Sequence, residues 1–226
     1  MNLKQNKNYF TKGEGLKIVG IVLIVLGVML YFFGMGYWSY VLMLTVIPTG
    51  IILFFVGASG RLSDTEMDAF IACQLEDFDP HPEETKEYAK RVQKHLSPDL
   101  IEGYAYEDGV LLKRAKDGKI RSSHYTRTAI YQLTDAFYLA SRHVSLIAED
   151  VRNEYLEIPY RTVTAVELLR ESATMPCGKK QFSVKRTELV ITCGEQSFHA
   201  PIQDDTNADR LVERLRKVVA EAEKLQ

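Results

Sequence analysis

Leu16–Phe33 reads LKIVGIVLIVLGVMLYFF and Val41–Gly57 reads VLMLTVIPTGIILFFVG, and these two runs decide the architecture of the N-terminal third. Each approaches the ~20 apolar residues that a helix needs to cross a ~30 Å hydrocarbon core. No Asp, Glu, Lys, Arg or His lies between Lys17 and Arg61. Neither run has the polar face of a helix half-buried in a soluble protein. A cleaved leader has one short apolar core before a small-residue cleavage site, whereas here a second apolar run follows at once. Between the runs lies GMGYWSY: its glycines permit a tight turn, and Tyr37, Trp38 and Tyr40 are rings that favour the membrane–water interface. The sequence predicts a transmembrane hairpin over residues 18–60.

The flanks give an orientation. Lys4, Lys7, Lys12 and Lys17 outnumber Glu14 in a basic tail over residues 1–17, the connecting turn carries no charge, and Arg61 follows the second run. Positive flanks stay inside, so both termini are expected in the cytoplasm and the chain in the cell (inner) membrane. Pro48 and Gly50 favour a kink in the second helix, with Thr45 and Thr49 placed to bond carbonyls near the break. Ion pathways usually need an intramembrane ionisable residue; without one, the hairpin reads as an anchor. Gly20 and Gly27 permit close helix approach and hence oligomers.

Averaged over all 226 residues the composition looks soluble, at 46% hydrophobic and 26% charged with net charge −2. That balance gives no reason to expect nucleic acid as a partner. Cys73, Cys177 and Cys193 form no C-x-x-C pair, so neither a zinc ribbon nor a redox motif is indicated; scattered thiols fit a reducing compartment.

Residues 61–98 read as an acidic helical connector. Ser63 and Glu66 have capping-box spacing, Met67, Phe70, Ile71, Leu75 and Phe78 recur at helical intervals, and Asp79-Pro80 stops the helix. A second helix is expected from Pro82, with Tyr88, Val92 and Leu96 as its stripe. An anionic leaflet repels Asp64, Asp68 and their acidic neighbours, so the first helix is expected to pack on protein rather than lie on lipid. His81, Glu83, Glu84 and His95 match no metal-binding spacing.

Residues 99–226 change period. EGYAYE and VLLKRA flank Asp108-Gly109, and KIRSSHY follows Asp117-Gly118; Asp-Gly between β-prone runs signals a hairpin. AIYQL, AFYLASR, VSLIAE, YLEIPY, TVTAVELL, QFSVKR, ELVITC and QSFHAP continue as half-buried strands. Cys193-Gly194-Glu195 joins the last two tightly. Asp204–Lys224 then reads as one amphipathic helix with Leu211, Leu215, Val218, Val219 and Ala222 on one face. The fold class is therefore a membrane α-hairpin plus an α+β domain, a bent antiparallel sheet or partly open barrel with a C-terminal helix over its open end.

Ala129–Leu139 (AIYQLTDAFYL) resembles the strand–turn–strand of bacterial PH-like (pleckstrin-homology superfamily) domains, and Tyr155–Glu167 (YLEIPYRTVTAVE) is similar to their I-P-Y/F…V segment. The hairpin ELVITCGEQSFHA before the helix fits the same order. The resemblance covers residues 100–226 and departs in the length before Ala129. It implies a seven-stranded bent sheet capped by a helix, and a binding or scaffold role rather than catalysis. Fold alone does not fix function, so the second implication is analogy.

No catalytic set stands out. Ser122, Ser123 and His124 are adjacent, but neighbours on a strand face opposite sides, and no G-x-S-x-G elbow accompanies them. His143 and His199 read as ordinary strand residues. Cys177, in Met175–Lys180, has lysines nearby that lower a thiol pKa, but Pro and Gly make the stretch a plain loop. No cofactor or metal motif appears. Lys113, Arg114, Lys116, Lys119 and Arg121 crowd one hairpin, and Lys179, Lys180, Lys185 and Arg186 a later one. By resemblance to PH domains, whose basic early loops bind lipid headgroups, the first hairpin is a candidate contact for anionic lipid or a partner; Lys-rich hairpin tips also serve simply to block edge pairing. The expected function is a non-catalytic, membrane-anchored binding or scaffold module with a protein partner or a second copy. An accessory or sensor subunit of a transport complex and an enzyme with a scattered site (Cys177 or His124) are the alternatives.

Overall fold

The computed structural model describes residues 3–11, 15–33, 36–60, 62–78, 97–177 and 180–224. The chain divides into two compact units, 2–63 and 64–226.

The first unit is helical. Helix α1 (Leu3–Thr11) precedes the apolar helices α2 (Gly15–Phe33) and α3 (Tyr37–Ala58), so part of the basic tail is itself a helix. Helices α2 and α3 are each long and apolar enough to cross a membrane. They pack through a glycine seam. A Cβ on Gly20 would sit 2.5 Å from the Phe54 nitrogen, one on Gly50 2.8 Å from the Gly20 oxygen, and one on Gly57 2.6 Å from the Lys17 nitrogen. Gly20 and Gly27 on α2, and Gly50 and Gly57 on α3, are spaced by seven residues, which keeps them on one seam; small residues let apolar helices approach closely. These glycines are thus used inside the hairpin. Pro48 lies within α3, but the two threonines serve other carbonyls than the one proline leaves. Thr45 Oγ1 donates to the Leu42 oxygen at 2.9 Å and Thr49 Oγ1 to the Thr45 oxygen at 2.7 Å, whereas the proline withholds its bond from Leu44. After α3 the chain turns at Gly60, whose carbonyl accepts from Asn8 Nδ2 at 3.0 Å.

The second unit begins with α4 (Asp64–Glu76), which starts one residue after Ser63 and ends before Asp79-Pro80. The second connector helix, with His81, Glu83, Glu84 and His95, falls outside the described residues. Nine strands follow among the described residues: β1 (Asp99–Tyr104), β2 (Leu112–Arg114), β3 (Ile120–Ser122), β4 (His124–Gln132), β5 (Ala136–Ser145), β6 (Val151–Pro159), β7 (Val163–Cys177), β8 (Lys180–Cys193) and β9 (Gln196–Pro201), then α5 (Ala208–Lys224). They form a four-stranded sheet β1-β4-β5-β6, a two-stranded hairpin β2-β3 and a three-stranded sheet β7-β8-β9, all antiparallel.

The sheets differ from the strand list in three places, each with a physical reason. Asp108-Gly109 makes a turn but no hairpin, because β1 pairs with β4 and the β2-β3 hairpin is inserted between them. Asp117-Gly118 is the true hairpin turn, with Gly118 at φ 81°, where a side chain is strained. VSLIAE is no strand: Val144-Ser145 ends β5 and residues 146–150 turn, with the Ser145 N–H donating to the Asp150 oxygen at 2.9 Å. QFSVKR and ELVITC are one continuous strand, and Met175-Pro-Cys177 extends β7 rather than forming a loop. The insertion of β2-β3 accounts for the extra length before Ala129.

One core joins the four-stranded sheet, the three-stranded sheet and α5: Ile101, Ile130, Phe137, Leu139 and Ile158 meet Val166, Leu189 and Ile191 and the helix face Leu211, Leu215 and Val219. The helix starts at Ala208, four residues later than expected, because Asp204 is used in a turn: its Oδ1 accepts from the Thr206 N–H at 3.1 Å. No closed barrel forms among the described strands. The corner where the sheets meet is Gly103, where an added Cβ would stand 3.0 Å from the Gln203 nitrogen and 3.1 Å from the Pro201 carbonyl; the Gln203 N–H donates to the Glu102 oxygen across it at 2.8 Å.

Candidate functional site

The basic hairpin β2-β3 is the place where charge concentrates, and its two faces have different fates. Arg121 is buried, its side chain only 7% exposed, between three carboxylates: Nη1 is 3.3 Å from Asp64, and Nη2 is 2.9 Å from Asp68 and 3.5 Å from Asp117. Lys113 Nζ lies 3.7 Å from Asp64, and Asp64 also accepts the Lys116 N–H at 2.8 Å. A buried guanidinium needs such partners, since an unpaired buried charge is very costly. Asp64 and Asp68 thus hold α4 to the hairpin, and that pairing helps α4 to pack on protein. Arg114, Lys116 and Lys119 are exposed.

The second basic run comes to the same neighbourhood. The far halves of β7 and β8 extend beyond β9 as a two-stranded ribbon, and Met175, Cys177, Phe182 and Val184 pack on Val110, Leu112 and Ile120 of the inserted hairpin. A cleft of about 710 Å³ lies between ribbon and hairpin, lined by Tyr106, Lys119, Arg170, Lys185 and Arg186 among others. Two of its cations are engaged: Arg186 donates to Glu171 at 2.5 and 3.1 Å, and Arg170 to Asp209 at 2.7 Å and Asp205 at 3.2 Å. Hydrogen bonding to these carboxylates raises both arginine pKa values, and Arg170 holds that of Asp209 below the usual carboxylate range. Lys119 and Lys185 are exposed. Burial raises the Tyr106 phenol to about 12, so it lines the cleft as a neutral hydroxyl, donating to the Ile120 oxygen at 2.6 Å. Lys179 lies outside the described residues, as does the side chain of Lys180.

A larger groove of about 960 Å³ runs between α4 (Asp68, Ile71, Leu75), the outer side of β1 and the first turns of α5. Arg214 of α5 pairs with Asp99 of β1 across it, and Arg127 of β4 pairs with its cross-strand neighbour Glu102 at 2.6 Å on the sheet side. Burial raises the Asp99 pKa against the opposing effect of Arg214.

The other candidate residues serve the backbone or each other. The Ser122 hydroxyl lies 2.5 Å from the Ala105 oxygen, and Ser123 Oγ accepts the Leu111 N–H at 3.0 Å. Both serines are fully buried beside a half-exposed His124. The Cys177 sulfur accepts the Leu112 N–H at 3.3 Å. His143 Nδ1 is 3.1 Å from Thr126 Oγ1, and His199 Nδ1 is 3.1 Å from Glu188. Among the described residues no group of three His, Cys, Asp or Glu is placed to hold a metal ion.

The two motif segments singled out in the sequence meet in space. The Tyr160 hydroxyl donates to the Leu133 oxygen at 2.8 Å and its N–H to the Asp135 oxygen at 3.0 Å, so the I-P-Y segment clasps the Leu-Thr-Asp turn. The Tyr160 ring stacks edge-on against Phe137, centroids 4.8 Å apart. Comparison of the chain with protein-family models, with curated proteins and with solved structures gave no match in any of the three.

Proposed function

We propose that the chain is a membrane-anchored, non-catalytic PH-like scaffold module working at the cytoplasmic face of the inner membrane. The observation that carries this reading is the order of the second unit: a four-stranded sheet, a three-stranded sheet and a C-terminal helix around one core. This is the order that the sequence resemblance implies once the inserted hairpin is set aside. The Tyr160 clasp supports it, because it joins the two segments on which the resemblance rests. Anchoring is supported by the outer surface of α2 and α3, where Phe33, Phe32, Leu44 and Phe55 stand exposed; apolar surface on that scale needs a cover. The lysines before α2 orient both ends inward.

In this reading Arg121 and Lys113 are structural, and Arg114, Lys116 and Lys119 are the members of the basic hairpin that meet anionic headgroups or an acidic partner. Reconstitution of the full chain in neutral and in anionic nanodiscs tests this. Protection of Lys116 and Lys119 from acylation only in anionic discs is expected; equal labelling in both removes lipid as the ligand. The anchoring itself is tested by alkaline carbonate extraction, which should leave the chain in the membrane pellet.

A further inference from the structure

Strand edges are open hydrogen-bonding templates that proteins normally cover, charge with lysine, kink or interrupt with proline. Three edges in the sheet unit are managed in this way. The Glu102 oxygen of β1 accepts the Gln203 N–H at 2.8 Å, the Val166 oxygen of β7 accepts from Arg216 Nε at 2.6 Å, and β9 is short and ends in Pro201. The outer edge of β6 is longer than that of β9 and carries only the proline at its end, Pro159. Val151–Leu156 are all exposed, the register against β5 runs without a bulge from Ala136↔Pro159 to Val144↔Val151, and no Lys, Gly or Pro occurs from 151 to 158. Exposed apolar side chains, Val151, Tyr155 and Leu156, lie along it.

We infer that this edge is a self-association surface, on which β6 of a second copy adds antiparallel and joins the two four-stranded sheets into one. The sequence of the edge selects both the partner and the register. Leu139 faces the core and pairs with Leu156, so Arg152, Glu154 and Leu156 share the inner face and Val151, Asn153 and Tyr155 the outer one. Side chains opposite each other in a sheet lie on the same face, so a two-fold axis must pass through a residue rather than between two. Centred on Glu154, the pairing sets Glu154 against Glu154. Centred on Arg152, it sets Arg152 against itself and Asp150 against Glu154. Centred on Asn153, it sets Arg152 against Glu154 twice, Val151 against Tyr155 twice and Asn153 against Asn153. Opposite charges and aromatic–β-branched pairs directly across a sheet are favourable, and like charges are not. An isologous dimer with Asn153 on its axis is therefore the arrangement that this edge complements. It also covers an edge that β6 leaves open among the described strands.

This deepens the scaffold reading and rests on it for the partner's identity, but its test is independent of anchoring and of lipid. The full chain carrying Cys73→Ser, which removes the exposed native thiol, is purified in mild detergent and examined by light scattering and by oxidative cross-linking. Asn153→Cys should cross-link between copies, since opposed Cβ atoms lie about 5 Å apart, whereas Glu157→Cys should not. Arg152→Glu and Glu154→Arg each place like charges opposite, and each should weaken dimerisation about tenfold. The double exchange Arg152→Glu/Glu154→Arg should restore it. Both side chains are largely exposed, 77% and 63%, so none of these changes threatens the fold. A monomeric chain, cross-linking without preference for position 153, or single reversals that leave the dimer intact would each overturn the inference.

Discussion

Phe32 and Phe137 are the same side chain in opposite settings: the first stands 71% exposed on α2 and the second is fully buried between sheet and helix. The helical unit turns its apolar groups outward and glycines inward, whereas the sheet unit turns apolar groups inward and charge outward. A helix that is apolar all round belongs in the core of a large protein or in a membrane. Helices α2 and α3 keep their apolar surface on the outside, which is the pattern the proposed membrane anchor requires. The comparison teaches that the two units are held by different forces. Burial from water drives the sheet unit, whereas on the proposed anchoring close packing of small residues holds helices whose outer surface faces lipid.

The sharpest way to break this contrast is to delete the same ring from each unit. Phe137→Ala should cost about 3–5 kcal/mol and lower the melting temperature of the detergent-solubilised chain by several degrees. Phe32→Ala should leave that melting within error; an equal loss at both positions would mean that α2 is covered by protein instead. Next in size is the buried charge. Arg121→Met removes the partner of Asp64 and Asp68 and should cost about 3 kcal/mol, the low end for a broken buried pair, because Asp68 stays 53% exposed. Partial rescue by adding Asp64→Asn and Asp68→Asn, read in the same melts, distinguishes charge from packing.

Glycine substitutions then compare the packing of the units. Gly20→Ala pushes a methyl group into the backbone of α3, and Gly103→Ala pushes one into the Gln203 backbone; each should cost about 1–3 kcal/mol by overpacking. The first should widen the distance between spin labels on α2 and α3 while leaving the sheet unit's near-ultraviolet circular dichroism unchanged, and the second should do the reverse. Tyr160→Phe deletes the hydrogen bond to Leu133 and should cost about 1 kcal/mol. The smallest effect is on pH dependence. Asp204 and Asp209 have folded-state pKa values below the ordinary one, through hydrogen bonds from Thr206 and Arg170. Their contribution is present above the unfolded carboxylate pKa and is lost as pH falls through the folded values. Asp99, raised by burial, acts oppositely, because its protonation on acidification favours the folded state. Asp209→Asn should therefore flatten the acid limb of the stability curve, while Asp99→Asn should not.

Elements with a strong local signal were legible in the sequence: the uncharged runs of α2 and α3, the periodic stripe of α5, and the β8-β9 turn at Gly194. The partnership of strands was not. Asp108-Gly109 and Asp117-Gly118 look alike locally, yet only the second closes a hairpin, because long-range pairing of β1 with β4 decides the matter. The candidate residues of the basic hairpin are legible as a charge cluster, but their division into buried and exposed members is not. Nothing near Arg121 reveals that α4, about 50 residues earlier, supplies two of its three carboxylates; in the sequence the acidic run over Asp64 and Asp68 shows only as charge. The Tyr160 clasp leaves a trace in the sequence, since both of its halves carry motifs, though nothing local shows that they touch.

The central claim, an inward-facing sheet unit on a membrane hairpin, is tested most directly by thiol accessibility in intact cells. Cys73 is exposed on α4, and Gly36→Cys places a second thiol in the turn between the apolar helices. A membrane-impermeant maleimide should label position 36 in intact cells and Cys73 only after the membrane is permeabilised. Labelling of Cys73 in intact cells, or release of the chain from the membrane by alkaline carbonate, would contradict the account.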